Sequence, residues 1–566
     1  MVREQATPLA DLLYKNAPPN ELDIEIIQKR SETTDKRIAE LRSELEDLEE
    51  QRYLHKCVFC PARRIPTEVL TMIFDLASTK PPPRYGNSIN NFVDDLWERD
   101  KNCLSKISRV CWRWRDIAYS SGHLWAMQRA RIPTLTQEQC GTLLRWYGRS
   151  EGTPKTLKLD ILSLRRPSCE CYKQGETQLC SNAVLQRLLE EGAPFSRISM
   201  RMLKPACFKS IVRYIKSTAG TNGTTTSAAQ HWWDQVQELV LDFGGNDRDW
   251  LHPDFPAQSI FATDSFPDSL NSLTLDLTRL AMERQNFLDI PAAMLRKLIT
   301  FSLTYFLGRP LFLTALQNCT NVENLSLYLR DDEYSCTESI ADLVNVTHDG
   351  HVVLPKVKSL RLRIKDAAAV AKHLSLLRFP GLLELSIACD YDHNRPAQYS
   401  TILKAIGMFS PDAPQALASL SVAGNIYTRD LYNLFSSITS PVTHLATDAT
   451  FDPREFLRLA RATAGTSNLL PSLQFLEVRD FTCDFHLDSL FLYIKGRQKH
   501  GKKKGKIVMK PPYDRLKWVM LKITWSERDL QKAYYKESAT LRMLRESFGI
   551  KVDRMGYDPE LEESDV

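Results

Sequence analysis

The sequence predicts an α/β chain in which a helical N-terminal region precedes an irregular solenoid of short parallel strands. Three observations carry that expectation. A highly charged segment with helical spacing comes first, an amphipathic helix pair rich in large apolar residues follows, and from about residue 155 a short apolar pattern recurs. The 566 residues are 43% hydrophobic and 25% charged, an ordinary globular composition. A formal charge of +5 is small for this length and does not by itself point to nucleic acid.

The charged helix is expected within 10–56. Read as heptads, its a positions are Ile24, Ser31, Ile38, Leu45 and Arg52, and its d positions are Ile27, Thr34, Leu41 and Leu48. Most are apolar while charges fill the other positions, the pattern of a helical hairpin arm or a short coiled coil. Packing within the chain, dimerisation and a single solvated helix all remain open on the sequence.

A helical module is expected over 60–130. In Arg64-Ile65-Pro66-Thr67-Glu68-Val69-Leu70 the proline sits where a first helical turn tolerates it. Val69, Leu70, Ile73, Phe74 and Ala77 then form one apolar stripe. Residues 79–101 open with three prolines in the run Lys80-Pro81-Pro82-Pro83 and read as an inserted loop. A second stripe runs through Leu104, Ile107, Val110, Trp114, Ile117 and Ala118, ahead of Leu124-Trp125.

The repeat region is expected over 135–548. Apolar residues stand at positions one, four and six of a recurring unit, as in Phe195/Ile198/Met200, Val236/Leu239/Leu241, Val357/Leu360/Leu362 and Leu473/Leu476/Val478. Ten such units are recognisable, the first at Phe195 and the last at Leu516/Val519/Leu521. Apolar side chains at the fourth and sixth positions are what a short strand lining a solenoid needs, since alternate residues face one side. Segments with helical spacing, such as Ile402, Leu403, Ile406 and Phe409, lie between the units. The spacing is longer and less regular than in tidy leucine-rich repeats; Cys319–Leu327 comes closest to the standard repeat. The texture is leucine-rich-repeat-like. The alternative is a set of separate α/β units. The polar insert 217–229 and an acidic tail at 549–566 are expected to be disordered.

The stretch Ile65–Trp125 resembles an F-box. The residues that carry the resemblance are Ile65-Pro66, Glu68, Val69-Leu70, Ile73-Phe74, Val110-Cys111, Trp114-Arg115, Ile117-Ala118 and Leu124-Trp125. Asn16-Ala17-Pro18-Pro19, the charged helix, and Trp146-Tyr147-Gly148-Arg149-Ser150 leading to Pro154 and Leu157/Leu159/Ile161 extend it. Over about residues 10–165 the chain is similar to the large F-box family of mushroom-forming fungi, apart from the lengthening at 79–101. The resemblance implies a non-catalytic substrate receptor of a cullin–RING ubiquitin ligase. The F-box would dock a Skp-type adaptor, and through it a cullin, while the repeats bind an unknown protein target. Ile65, Pro66, Val69, Leu70, Ile73, Val110 and Trp114 are the expected adaptor contacts. Phe74, Ile117, Ala118 and Trp125 are expected to hold the helices together. An F-box scaffold or nuclear regulator acting outside a ligase is the alternative function.

Other chemistry finds little footing. No cofactor is expected. Gly148-Arg149-Ser150-Glu151-Gly152 fits the nucleophile-elbow string, but a helix precedes it and a strand follows, the reverse of what that motif needs. His55 with Cys57 and Cys60, and Cys169 with Cys171 and Cys180, each fall short of a zinc quartet; unpaired thiols are expected. The basic run 495–506 reads as a solvated loop, with a nuclear localisation signal as the alternative. His231-Trp232-Trp233 reads as core. Scattered cysteines, no signal-like N-terminal run and no long apolar stretch predict a cytoplasmic or nuclear protein with no membrane span.

Overall fold

The computed structural model describes residues 18–59, 61–79 and 101–160, and between 183 and 557 the strands, helices and turns named below. Contacts divide the chain into two compact units, the first ending its described part at Ser78 and taking in Lys101–Tyr119, the second running on from Ser120.

The first unit is helical. Its α1 spans Glu21–Val58, 38 residues. Asn20 starts it: its side-chain oxygen accepts from the Asp23 N–H at 2.8 Å, and the Asp23 carboxylate accepts from the Asn20 N–H at 3.2 Å. This reciprocal cap satisfies donors that a helix start leaves unpaired. Next come α2 (Thr67–Ser78), α3 (Lys101–Val110) and α4 (Trp112–Ser120).

The second unit is built on a 14-stranded sheet whose neighbours all pair in parallel. In chain order its elements begin with β1 (Met127–Arg131), α5 (Gln137–Gly148), β2 (Thr156–Asp160), α6 (Ala183–Glu191), β3 (Arg197–Met202) and α7 (Pro205–Thr218). They continue with β4 (Glu238–Phe243), β5 (Ser272–Asp276), α8 (Ala292–Leu295), β6 (Thr300–Leu307), α9 (Leu311–Gln317) and β7 (Asn324–Asp331). A small parallel pair, β8 (Val352–Val353) with β10 (Leu377–Arg378), brackets β9 (Ser359–Lys365) and α10 (Ala368–Ser375). Then come β11 (Glu384–Asp390), β12 (Ser419–Gly424), α11 (Thr428–Ser437), β13 (His444–Thr447), α12 (Pro453–Ala462), β14 (Phe475–Phe481) and α13 (Leu487–Arg497). An antiparallel hairpin of β15 (His500–Lys503) and β16 (Lys506–Met509) precedes β17 (Trp518–Thr524) and β18 (Lys551–Tyr557).

The main strands follow one another in chain order, so each crossover returns the chain one strand further along. The register holds through the buried positions of every repeat unit, its one irregularity falling past them, between Val478 and Phe481 where β14 pairs with β17. Leu157, Ile198, Leu239, Leu273, Phe301, Leu325, Leu360, Leu385, Leu420, Leu445, Leu476 and Val519 stand opposite one another in a single row. All are buried, as is the row two residues on, from Leu159 through Leu362 to Leu521. These rows meet the apolar faces of the crossover helices, where α5 packs on α6, and α11 on α12 on α13. Burying a side chain of Leu or Ile size contributes about 1.5–3 kcal/mol, so these rows are the main cohesive element of the sheet.

Several expectations need correction. The sheet begins at β1, within the span assigned to the helical module and ahead of the predicted start at 135. Leu124 and Trp125 fall in this second unit, where the Trp125 ring packs 6.0 Å from Trp146 and under the Arg149 guanidinium at 4.8 Å. Lys551–Tyr557, expected in a disordered tail, is the last strand, with Val552 opposite Val519. The basic run is no plain loop either. Arg497 ends α13 buried, donating to the Leu470 carbonyl at 3.0 Å, and residues 500–503 and 506–509 form the hairpin. Residues 217 and 218 close α7, while the rest of the polar insert, the loop 80–100 and residues 558–566 lie outside the described residues.

One glycine is fixed by the close approach of neighbouring strands. Gly424 has φ +105°, and a Cβ there would collide with the Cys389 carbonyl oxygen on β11. Gly424→Ala is therefore expected to lower stability by about 2 kcal/mol or more. Gly141→Ala on α5, where a Cβ meets nothing within 4 Å, is expected to be neutral or slightly stabilising. Urea midpoints of the two variants check this contrast, and equal midpoints would contradict it.

Candidate functional site

The first unit brings the Ile65–Pro66 turn, α2, and the α3–α4 junction into one helical pack. Cys111 breaks the second apolar stripe into two helices. Its Sγ accepts from the Trp114 N–H at 3.5 Å and its carbonyl from the Arg115 N–H at 3.0 Å, so it caps α4. The Arg115 side chain then donates back to the Ser108 carbonyl at 3.0 Å, closing the end of α3. Arg113 reaches across the unit. Its guanidinium donates to the Arg63 carbonyl and, at 2.6 Å, to the Ile65 carbonyl. That fork fixes the backbone ahead of α2. Charge-assisted bonds of this kind contribute roughly twice what neutral ones do.

The core of the unit is small. Leu70, Phe74, Leu104, Ile107, Ile117 and Ala118 are buried, and Trp114 lies against Phe74 with ring centroids 5.1 Å apart. Burial agrees with the core role expected for Phe74, Ile117 and Ala118. Leu70 is the correction on α2: at 0% exposed it belongs to this core, not to a surface. The reason is helical phase. Leu70, Phe74 and Ser78 are four apart and face inward, whereas Val69, Met72, Ile73 and Leu76 take the spacing i, i+3, i+4, i+7 on another face.

That second face is exposed. Leu76 and, at the start of α4, Trp112 are each 74% exposed, and Val69, Met72, Ile73 and Val110 are also open to solvent. Pro66 is exposed and Ile65 and Trp114 are half-buried. Of the residues picked from the sequence, Ile65, Pro66, Val69, Ile73, Val110 and Trp114 thus keep accessible surface. Met72, Leu76 and Trp112 were missed, although an α2 helical wheel drawn around Phe74 as the inward point would have found the first two.

The face of the sheet opposite the buried leucine rows changes character along its length. Toward the N-terminal strands it carries cross-strand ion pairs: Arg129–Asp160 at 2.8 Å, Arg197–Glu238 at 2.9 Å and Arg201–Asp242 at 3.1 Å. Toward the C-terminal strands it carries rings in one register row. His444 stacks on Phe475 at 4.2 Å, Phe475 meets Trp518 edge-on at 5.0 Å, and the Lys551 ammonium lies 4.2 Å over Trp518. Burial among these neighbours holds the His444 imidazole below its usual pKa, against the opposing pull of Glu477.

The motifs set aside from catalysis have structural places. Ser150 is fully buried and its hydroxyl donates to the Tyr147 carbonyl at 2.8 Å. Trp233 is buried and its neighbour Trp232 packs edge-on to Phe195 at 5.4 Å. Cys60, Cys169, Cys171, Cys180 and His231 lie outside the described residues, as does the Cys57 side chain. Among the described residues, no three His, Cys, Asp or Glu side chains converge to hold a metal, and no helix is long and apolar enough to cross a membrane.

His444 supplies a pH test. Because its folded pKa is lowered, protonation favours the unfolded chain, and stability falls as pH drops below the unfolded value near 6.5. The urea midpoint of the wild type is expected to fall between about pH 7.5 and about pH 5.5 by more than that of His444→Phe, and equal falls would contradict the assignment.

No protein-family model matches this chain, and a search of curated proteins returns no significant match.

Proposed function

We propose that the chain is a non-catalytic substrate receptor of a cullin–RING ubiquitin ligase, its first unit an F-box and its parallel sheet a leucine-rich-repeat-type solenoid. The observation that carries this reading is the exposed apolar face of α2, with Val69, Met72, Ile73 and Leu76, beside a helical unit whose own core is already filled. Apolar side chains gathered on one small unit mark a protein-docking surface. In the resembling family that surface takes a Skp-type adaptor, and the exposed Val69 and Ile73, both among the residues that carry the resemblance, support that reading. Pro66, Val69, Ile73, Val110 and Trp112 are the proposed contacts, with Ile65 and Trp114 shaping the floor.

Such a receptor forms no covalent bond itself. Holding the adaptor through one unit and a target through the other raises the effective concentration of the target's lysines near a ubiquitin-charged enzyme. The face of the sheet opposite the leucine rows is the proposed target surface. It offers ion pairs at one end and stacked rings at the other. Rings suit protein recognition because they bury much area at low entropic cost.

Val69→Glu/Ile73→Glu is expected to weaken binding to a purified Skp-type adaptor at least about 100-fold, since two central contacts of such an interface carry several kcal/mol between them. Thermal midpoint and circular dichroism are expected to stay as in the wild type, because both positions are exposed. Leu70→Ala is expected instead to destabilise the unit by about 2–5 kcal/mol through a core cavity. Full adaptor affinity in the Val69/Ile73 variant would overturn the assignment.

A further inference from the structure

We propose that α1 is a dimerisation element that pairs antiparallel with α1 of a second copy of this chain. A 38-residue helix normally gains its stability by laying an apolar face on something. Here Ile24, Ile27, Ile38, Leu41, Leu45 and Leu48, the apolar a and d positions, are all between 37% and 57% exposed. No other part of the chain covers them among the described residues. Their spacing is that of a two-stranded seam about four heptads long.

The order of residues along the seam selects the occupant and its direction. In an antiparallel pair each a position faces a d position of the other helix. Centring the crossing on residue 36 sets Ile24 against the second copy's Leu48, Ile27 against Leu45, Ser31 against Leu41 and Thr34 against Ile38. Every layer then contains a large apolar side chain, and the helix is complementary to itself. The Thr34 hydroxyl is already satisfied by the Arg30 carbonyl at 2.8 Å, so burying it in the seam leaves no unpaired group.

A parallel, in-register pair fares worse on the same sequence. It stacks Ser31 on Ser31 and Thr34 on Thr34 in successive layers, and it drives Arg52 against Arg52 inside the seam. Its flanking positions set Arg37 against Arg42 and Glu44 against Glu49, both repulsive, and Arg30 against Asp35, which is attractive. The antiparallel pair sets Arg30 against Glu44 twice and carries Arg52 beyond the seam toward the first turn of the second copy, where Glu21 is exposed. Its like-charge contacts are Arg37 and Asp35, each with its own copy, and Glu49 with Glu21; Arg37 is already held by Glu40 at 2.9 Å, so the pairing of the core layers, not the flanking charge, selects the direction.

The test uses the full chain. Light scattering at tens of micromolar is expected to give about twice the monomer mass of 64.8 kDa, and Leu41→Glu/Leu45→Glu is expected to return it to that mass. Zero-length carbodiimide cross-linking with mass spectrometry reads direction. Lys56 and Glu21 lie about 50 Å apart along one helix at 1.5 Å per residue, so a Lys56–Glu21 link in the dimer band arises only between antiparallel copies. A monomeric wild type, a dimer that survives the double substitution, or inter-copy links joining Lys56 only to Glu49 and Glu50 would each overturn the proposal.

Discussion

The sheet depends on one repeated backbone contact. At each step from β2 to β17, a single carbonyl just ahead of one strand accepts two successive N–H groups at the start of the next. The Glu323 carbonyl takes the N–H groups of Lys358 and Ser359, the Lys358 carbonyl those of Leu383 and Glu384, and so on from Lys155 to Gln474, all between 2.8 and 3.2 Å. Each bond is worth only about 1 kcal/mol net. Their effect is on register: a strand docked through both donors cannot slide by a residue without losing both. Since a one-residue slip would also turn its apolar side chains to the wrong face, the contact and the leucine row enforce each other.

A fixed register has a consequence for the other face. Residues between the buried rows are held in rows of their own, so cross-strand charge pairs and the His444–Phe475–Trp518 stack sit at spacings set by the sheet, not by side-chain flexibility. Such an array suits recognition, because little entropy remains to be lost on binding. The helical unit uses the opposite device. It buries a few residues well, ties its entry turn with Arg113, and leaves the remaining apolar face of α2 outside.

Much of this was legible in the sequence, for identifiable reasons. Strands in the middle of the sheet have neighbours on both sides, and their fourth and sixth positions are nearly always Leu, Ile or Val, so the pattern announces itself. The missed β6 fits the same template as Leu298/Phe301/Leu303 and fills the longest gap between recognised units. The edge strands were harder. In β1 the two row positions hold Gln128 and Ala130, with the Gln128 amide donating to the Trp125 carbonyl at 2.6 Å, and in β18 they hold Val552 and Arg554. An edge strand pairs on one side only, so its composition is less constrained. At the candidate site, the run Val69-Leu70 shows that both residues are apolar but not which one faces inward. That is decided by how α2 packs on α3, long-range contacts that the pair Val69-Leu70 does not record.

Hydrogen exchange on the full-length chain, with and without a purified Skp-type adaptor, tests the receptor assignment most directly. The assignment predicts that amides in 61–78 and 101–120 slow markedly when the adaptor is added, while those of the parallel strands keep their rates. Unchanged exchange across 61–78 at saturating adaptor, or slowing confined to the strands, would contradict it.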